Sequence, residues 1–431
     1  WRVNEQILSD MKVRASYGSL GNGNVDPYSF LELLSIKTSD RVLNGALNKY
    51  TSAPAVMPSG LTWETATTTD VGLDFGMLNS RFRFSGDYYI RKTTDMYTVG
   101  KTLPEIFGAA SPKGNYADMT TKGWEITLTW RDHFELASKP FNYEIKGTLS
   151  DYISTIDRYN NENKYLDDYY EGMRVGEIWG YETEGLFKDQ ADIDNHATQK
   201  LIKSSSKNIW YPGDVKLKDQ DGNGAIDYGT NRVDDHGDLK VIGNSLPRFA
   251  YSINLSGDWN NFFISAFFQG VGKQDWYPSS ECIFWGQYNR PYNNLPTWHV
   301  DNYWTEDNQG AYLPRYAGYN TSIRDTKQTR YLQNVAYIRL KNLQFGYTLP
   351  KQWISKIMLQ NARVYISAEN LWCWSPLYKH TRDLDVTNIY GSDPDLTDAD
   401  MKSGLNGKRG SGDGNSYPQM RSVSLGVSVT F

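Results

Sequence analysis

Strict alternation of apolar and polar residues constrains the fold of this chain more than any other feature. Near its C-terminal end every second residue from Val423 to Phe431 is apolar, and Ser424, Ser428 and Thr430 lie between them. Successive side chains of a β-strand point to opposite faces, so a period of two predicts a strand with one apolar and one polar face.

The same period recurs along the chain. Clear cases are 12–17, 81–90, 124–130, 248–256 and 421–431, and weaker ones are 70–77, 143–152, 262–270, 337–347 and 362–370. We therefore predict ten strands of about seven to eleven residues. Between Tyr337 and Tyr347 the apolar phase slips, which indicates a bulge near Lys341-Asn342 or an inward aromatic side chain.

The predicted connections alternate in length. Short ones fall at 78–80, 131–142, 258–261 and 348–361, and long ones at 19–69, 91–123, 153–247, 271–336 and 371–420. Short turns at one rim and long loops at the other are typical of a transmembrane antiparallel up-and-down β-barrel, with the long loops outside and the last strand running inward. A soluble β-sandwich or propeller is the alternative, although loops beyond about 15 residues are uncommon in compact domains.

Composition narrows the partners. A net charge of -5 and a pI near 5.7 disfavour nucleic acid. Only Cys282 and Cys373 could form a disulfide, and a pair or two free thiols remain equally open. There is no run of about 18 apolar residues and Trp1 to Asp10 are not a signal peptide, so we expect a fragment that continues upstream.

Several motifs resemble the SusC/RagA-type TonB-dependent transporters. They are Met11-Lys-Val-Arg-Ala-Ser-Tyr-Gly18, Val71-Gly-Leu-Asp-Phe-Gly76, Lys122-Gly-Trp-Glu-Ile-Thr-Leu128, Pro212-Gly-Asp-Val-Lys216, Val241-Ile-Gly-Asn244 and Ser367-Ala-Glu-Asn-Leu371. The resemblance implies that residues 1–431 are the C-terminal part of a barrel of about 22 strands. The plug domain and the first half of the barrel would lie upstream.

The resemblance also implies the partners and the cargo. These are a SusD-like surface lipoprotein, the TonB complex acting through the missing N-terminal part, the lipid bilayer of the outer membrane, and an imported nutrient. An oligosaccharide is the leading cargo, and a peptide is the alternative within the family. From another class, a soluble secreted glycan-binding β protein stays open. Because His residues are scattered and no catalytic motif occurs, we predict that the chain is not an enzyme and requires no cofactor.

Oxygen-bearing residues in one turn match the spacing of a calcium loop. Asp219, Asp221, Asn223, the Ala225 carbonyl and Asp227 would surround the ion. Thr230 stands where the motif carries a bidentate Glu, so a turn that closes on its own backbone is an equal alternative.

Two further sets are candidate contacts with the cargo. Aromatic residues of the predicted loops could stack on sugar faces: Trp276, Tyr277, Trp285, Tyr288, Trp298, Trp304, Trp372 and Trp374. They could equally form a packed loop core, a partner contact or, for Trp372 and Trp374, an interfacial girdle. Polar strand residues could face the lumen or bind the plug: Arg81, Arg83, Asp87, Glu125, Arg248 and Gln269.

Overall fold

The computed structural model describes residues 7–23, 34–52, 60–100, 111–199, 209–387 and 419–431, together with residues 4, 31, 106, 202 and 389. In chain order the strands are β1 (Leu8–Asn22), β2 (Ile36–Leu43), β3 (Ala46–Thr51), β4 (Glu64–Met77), β5 (Phe82–Val99), β6 (Lys113–Leu136), β7 (Lys139–Arg158), β8 (Glu177–Gly180), β9 (Thr183–Leu186), β10 (Val215–Leu217), β11 (Lys240–Asn244), β12 (Arg248–Trp259), β13 (Phe262–Lys273), β14 (Asp275–Trp276), β15 (Tyr303–Trp304), β16 (Leu313–Arg315), β17 (Gln333–Asn334), β18 (Tyr337–Thr348), β19 (Asn361–Trp374) and β20 (Ser422–Thr430).

Helical structure in these ranges is short. The α-helices are α1 (Gln190–Asp194), α2 (Thr321–Arg324) and α3 (Lys351–Ile354), and 3-10 turns span Ile283–Tyr288, Thr297–His299, Ser355–Ile357 and Pro376–Lys379. Within the described ranges, no helix has both the length and the apolar character needed to cross a bilayer.

Ten strands form one antiparallel sheet, which we call the wall. Its order is β1-β4-β5-β6-β7-β12-β13-β18-β19-β20. The ten strands thus lie side by side in the same order in which they follow one another along the sequence. All ten predicted strands are present, and the up-and-down topology is confirmed. A sandwich of two packed sheets would divide these strands between two layers, whereas here they form a single continuous ladder.

The predicted loop 91–123 is wrong in its bounds, because β5 continues to Val99 and β6 begins at Lys113. The predicted connection 131–142 is likewise reduced to Ala137 and Ser138. Backbone hydrogen bonds do not depend on hydropathy, so the strands continue where the alternation has ended. The alternation therefore marks only the part of each strand that has an apolar face.

Two of the short connections are two-residue hairpins with both residues in the left-handed region. Ala137 and Ser138 have φ of 50° and 59°, and Asn260 and Asn261 have φ of 47° and 70°. Type I′ turns require positive φ at both positions and match the twist of the paired strands. These turns fix the register of β6 with β7 and of β12 with β13.

The predicted bulge in β18 is confirmed. Phe267 pairs with Asn342 and Phe268 with Leu340, which leaves Lys341 as the extra residue. The pairing of β18 with β19 shifts at the same place. This single inserted residue accounts for the phase slip seen in the sequence.

One face of the wall is apolar across all its strands. Residues opposite one another share a face, and cross-strand pairs such as Phe84 with Leu128 and Ile366 with Leu425 continue the apolar rows. Leu425 at one edge of the wall is 75% exposed. The opposite face carries Ser, Thr, Asn and charged side chains, including Ser367 opposite Ser424.

The longer connections pack together into a lobe, which we define as the described parts of 159–247, 274–336 and 375–389. Its buried core combines side chains from all three connections: Val215, Trp276, Cys282, Phe284, Trp285, Tyr288, Leu313, Ile323, Tyr331, Val335, Leu377, Leu384, Val386 and Ile389. The lobe therefore has a hydrophobic core of its own, against which Tyr337 and Cys373 of the wall pack.

Candidate functional site

The predicted lumen residues Arg83, Asp87 and Glu125 lie on the polar face of the wall. Asp87 is directly opposite Glu125 on the neighbouring strand, and the Arg14 guanidinium is 2.8 Å from an Asp87 carboxylate oxygen. The Arg83 side chain is 3.6 Å from Asp10. These charges pair within the wall, and their contact with a lumen or a plug stays a prediction.

The other three predicted lumen residues lie near the ends of the wall. Arg248 forms a bidentate ion pair with the buried Asp151 carboxylate, with distances of 2.6 and 2.5 Å. Gln269 lies opposite Arg339. Arg81, in the turn between β4 and β5, is 3.4 Å from Asp132.

A buried ion pair ties the lobe to the polar face of the wall. The Arg339 guanidinium in β18 is 2.6 Å from the Asp385 carboxylate, and both side chains are almost fully buried. Burial alone would raise the pKa of Asp385, but hydrogen bonds from Arg339, Thr387 and the Gln419 amide outweigh it and lower that pKa. The Asp385 carboxylate thus remains charged. Because Asp385 lies in the first part of the connection between β19 and β20 and Gln419 lies near its end, their hydrogen bond holds the two parts of this connection together.

The structure places most of the predicted stacking aromatics inside the lobe. Trp276, Trp285 and Tyr288 are fully buried. The Trp285 indole donates to the Ser279 carbonyl at 2.9 Å, and the Tyr288 hydroxyl donates to the Pro314 carbonyl at 2.7 Å. The expected open stacking surface is therefore wrong for these three side chains, because the aromatic residues form a packed core.

Two more of these aromatics serve packing inside the lobe. Trp304 is buried against Gly213, which has a φ of +85°. A Cβ atom at position 213 would lie 2.4 Å from the Trp304 ring, so the ring occupies the space that a side chain would need. Next to it the buried Asp214 carboxylate is 2.7 Å from the Arg315 guanidinium. Burial raises the pKa of Asp214 despite that partner. Tyr277 is half-buried and donates to the Thr326 carbonyl at 2.9 Å.

Trp372 and Trp374 lie in β19 on the apolar face of the wall, not in a loop. They are opposite Leu340 and Ile338 in β18 and are 47% and 53% exposed. This position fits the girdle alternative and turns both rings away from the polar face. Cys373, between them, is also in β19 and not in the predicted loop, and both cysteines are free thiols.

Trp298 is the predicted aromatic residue that lines a cavity. The cavity measures about 390 Å³ and lies between the connections 274–336 and 375–421. Its other lining residues are Ile283, Phe284, Gly286, Asn293, Asn294, Pro296, Thr381, Asp383 and Leu384. An aromatic lining with amide and carboxylate groups can offer both stacking and hydrogen bonds to a small polar ligand.

A buried histidine lies behind Trp298. His299 Nε2 is 2.9 Å from the Phe284 carbonyl oxygen, so the neutral ring donates to it, and Nδ1 is 3.5 Å from the Tyr316 hydroxyl. Burial lowers the pKa of His299 from 6.5 to about 4, although the carbonyl partly opposes this. The lobe core is therefore built around an uncharged imidazole.

The predicted calcium turn gathers a different set of carboxylates from the one expected. Asp219, Asp221 and Asp238 bring one oxygen each within 4.8 Å of one another. Asp227 is not among them, and its carboxylate accepts the Gly229 N–H at 2.7 Å. The Asn223 side chain caps its own turn by accepting the Ala225 N–H.

The turn also satisfies its own polar groups. Asp219 accepts the Gly224 and Gly222 N–H groups at 2.9 and 2.7 Å, and these bonds, that of Gly224 foremost, lower its pKa. Such a turn holds its shape without an ion, while the three carboxylates fit hard-cation chemistry. Both alternatives for this turn therefore remain consistent with the geometry.

Sequence reasoning missed Asn294, Thr381, Asp383 and Asp238. Asp238 lies 11 residues beyond Asp227, outside the spacing that a calcium loop uses. Thr381 and Asp383 are far from Trp298 in sequence, and no local pattern reports such a contact. Asn293 and Asn294, which are close to Trp298 in the sequence, are the one indication of this cavity that the sequence offered.

Comparison with known proteins places this geometry in context. No protein-family model matches the chain. It is 28% identical over 455 residues to TonB-dependent receptor P3 of Formosa agariphila, covering 98% of this chain and 40% of that protein. It is 23% identical over 448 residues to TonB-dependent receptor SusC of Bacteroides thetaiotaomicron, covering 100% of this chain and 39% of that protein.

Solved structures show the same fold. The RagAB peptide transporter superposes with a TM-score of 0.66 at 21% identity, covering 86% of this chain and 38% of that chain. The RagAB peptide importer in its open-open state gives a TM-score of 0.65 at 18% identity, covering 99% and 41%. The chain spans about two fifths of the length of the curated relatives it matches.

Proposed function

This chain is related over nearly its whole length to the SusC/RagA-type TonB-dependent receptors, and on that premise we propose that it works in nutrient import across an outer membrane. In this proposal the wall is part of a transmembrane barrel, and the lobe lies on the outer side. The relatives are receptors and transporters, so the proposed role is transport and not catalysis.

The apolar face of the wall carries this proposal. Apolar side chains cover one face of all ten strands, and many of them are strongly exposed, including Val423, Leu425 and Val427 in β20. So large a continuous apolar surface is unfavourable in water and favourable against lipid. Fractionation of cells that express the complete protein tests it, because recovery in the soluble fraction without detergent would contradict a membrane wall.

For the cargo we propose an oligosaccharide. Trp298 and the amides beside it support this choice, because aromatic rings and amides suit the faces and hydroxyls of sugars. A peptide is the second candidate, because the RagAB structures are those of a peptide importer. Uptake by cells of labelled oligosaccharides and of labelled peptides, each with and without the gene, distinguishes the two.

We further propose a SusD-like surface lipoprotein and the TonB complex as partners. Relatives named SusC and RagAB support the lipoprotein, and the names of the receptors support TonB. Mass spectrometry of the detergent-extracted protein should find a lipoprotein that co-purifies in a fixed ratio. A complete protein that purifies alone from native membranes would contradict that part of the proposal.

Calcium in the turn 219–227 stays a proposal of its own. Asp219, Asp221 and Asp238 would hold the ion, which would neutralise their mutual repulsion and join the turn to the segment around Asp238. Calorimetric titration of the purified protein with calcium tests it. Absence of binding heat would leave the self-satisfied turn as the explanation.

A further inference from the structure

The cavity beside Trp298 joins two connections that are far apart in sequence. Trp298, Asn293 and Asn294 come from the connection between β13 and β18, and Thr381 and Asp383 come from the one between β19 and β20. Its volume of about 390 Å³ lies within the range of about 300–1,000 Å³ that is usual for small-molecule sites. A ligand held there would touch both connections at once.

The aromatic side of this cavity is packed against two other rings. The Trp298 ring centroid is 4.9 Å from that of Phe284 and 4.3 Å from that of His299. The indole is half-buried while it lines the cavity. A partly exposed indole that is packed on one side contributes contact area at low entropic cost, which favours stacking on the apolar face of a ring.

The polar side of the cavity has hydrogen-bonding capacity that the protein does not use. Asp383 accepts the Thr381 hydroxyl at 3.0 Å with one carboxylate oxygen. Asn293 donates to the Gly286 carbonyl at 3.4 Å. The Asn294 side chain is exposed and has no hydrogen-bond partner among the described residues. Donors and acceptors therefore stand beside the indole, as recognition of a hydroxyl-rich ring requires.

The charge of the lining restricts the ligand further. Of the described residues that line the cavity, Asp383 is the charged one, and none is Lys, Arg or His. The neighbouring Arg382 guanidinium lies 5.3 Å from the Tyr378 ring centroid. An anionic ligand would therefore meet the Asp383 carboxylate with no offsetting cation among the described lining residues, which costs free energy.

We propose that this cavity binds one sugar unit of a neutral oligosaccharide, with Trp298 stacking on the ring and Asn294 and Asp383 binding its hydroxyls. The inference rests on the proposed import function, whose cargo it specifies as uncharged. The described lining disfavours uronate-rich and sulfated glycans as ligands of this cavity.

The test uses the complete protein, extracted in detergent with its co-purifying partners. Maltohexaose, cellohexaose, xylohexaose and mannohexaose are the neutral probes, oligogalacturonate is the anionic probe, and a casein digest supplies peptides. Binding is measured by calorimetry for Trp298→Ala and Asn294→Ala. Trp353→Ala is the matched control, because Trp353 is 61% exposed in the connection between β18 and β19, away from the cavity.

We expect at least one neutral probe to bind, and Trp298→Ala and Asn294→Ala each to weaken it about ten-fold or more. Trp353→Ala should bind as the unmodified protein does, and oligogalacturonate should not bind. Because Asn294 is exposed, its variant separates loss of the ligand contact from loss of lobe packing.

Unchanged affinity in both Trp298→Ala and Asn294→Ala would overturn the inference, as would a protein that binds none of the neutral probes. Uptake of the same probes by cells distinguishes failure of the proposed sugar site from failure of the proposed import function. Uptake of peptides alone would overturn the sugar site and leave import standing, whereas uptake of no probe of either kind would overturn the import function itself.

Discussion

The wall and the lobe place the same aromatic residue types in opposite environments. In the wall, Trp372 and Trp374 point outward from the apolar face and remain half exposed. In the lobe, Trp276 and Trp285 point inward and are fully buried. The wall is stabilised by a backbone ladder between neighbouring strands, and the lobe by a hydrophobic core that brings together three distant connections.

Aromatic residues in the long connections of this chain therefore do not by themselves indicate a binding surface. A connection of several dozen residues must bury apolar side chains to hold a fixed shape, because each ordered residue costs conformational entropy. Most of the lobe aromatics meet that need. Those left at a cavity, such as Trp298, are the ones available to a ligand.

The largest expected contrast is between a lobe tryptophan and a wall tryptophan. Trp285→Ala should destabilise the lobe by about 3–5 kcal/mol, because it removes a fully buried ring. Trp374→Ala should change stability by only about 0.5 kcal/mol in detergent. Hydrogen exchange of the amides around each residue in the complete protein measures both effects, and equal effects would remove the distinction between the two regions.

The next contrast separates the two faces of the wall. Leu425→Arg puts a charge on the apolar face and should cost about 2–4 kcal/mol in a bilayer. Ser424→Arg puts the same charge one residue away on the polar face and should cost far less. The heat-resistant folded fraction after extraction from membranes reports each variant. Equal losses of the folded fraction in the two variants would show that the two faces of the wall have the same environment.

A smaller effect should appear when the lobe is titrated. The folded-state pKa of His299 is about 4, below its unfolded value, so the unfolded state takes up the proton first as the pH falls below 6.5. The contribution of His299 to lobe stability is therefore complete well above pH 6.5. About 2 kcal/mol of it should be lost as the pH falls from about 7 to about 5, and the loss should continue down to about pH 4. His299→Phe should reduce this dependence to the part that His380, a half-buried histidine of the lobe, contributes, because burial lowers the pKa of His380 too. His133→Phe, an exposed change in the wall, should leave the dependence intact.

Calcium should give the smallest effect. At a free calcium concentration about five times the dissociation constant, binding to the turn would stabilise the lobe by about 1 kcal/mol. Asp219→Asn should abolish this gain, and Asp234→Asn should keep it, because Asp234 is outside the carboxylate group. A thermal transition that calcium does not move would favour the turn that satisfies itself.

How much the sequence could predict follows from the same comparison. Alternation located all ten wall strands, and a phase slip located the bulge at Lys341, because both features depend on neighbours in sequence. The strand ends beyond Ile90 were missed, since the ladder continues there without alternation. Contacts such as Arg339 with Asp385, and the cavity between Trp298 and Asp383, join distant segments and left no local pattern to find.

The central claim is that the apolar face of the wall contacts lipid while its polar face does not. The direct test labels single cysteines along β20 in native membranes, using Ser424→Cys, Leu425→Cys and Val427→Cys in a background that carries Cys282→Ala and Cys373→Ala. We expect a lipid-soluble quencher to reach the labels at 425 and 427 and to spare the label at 424. Equal quenching at all three positions, or water access to 425 and 427, would contradict it.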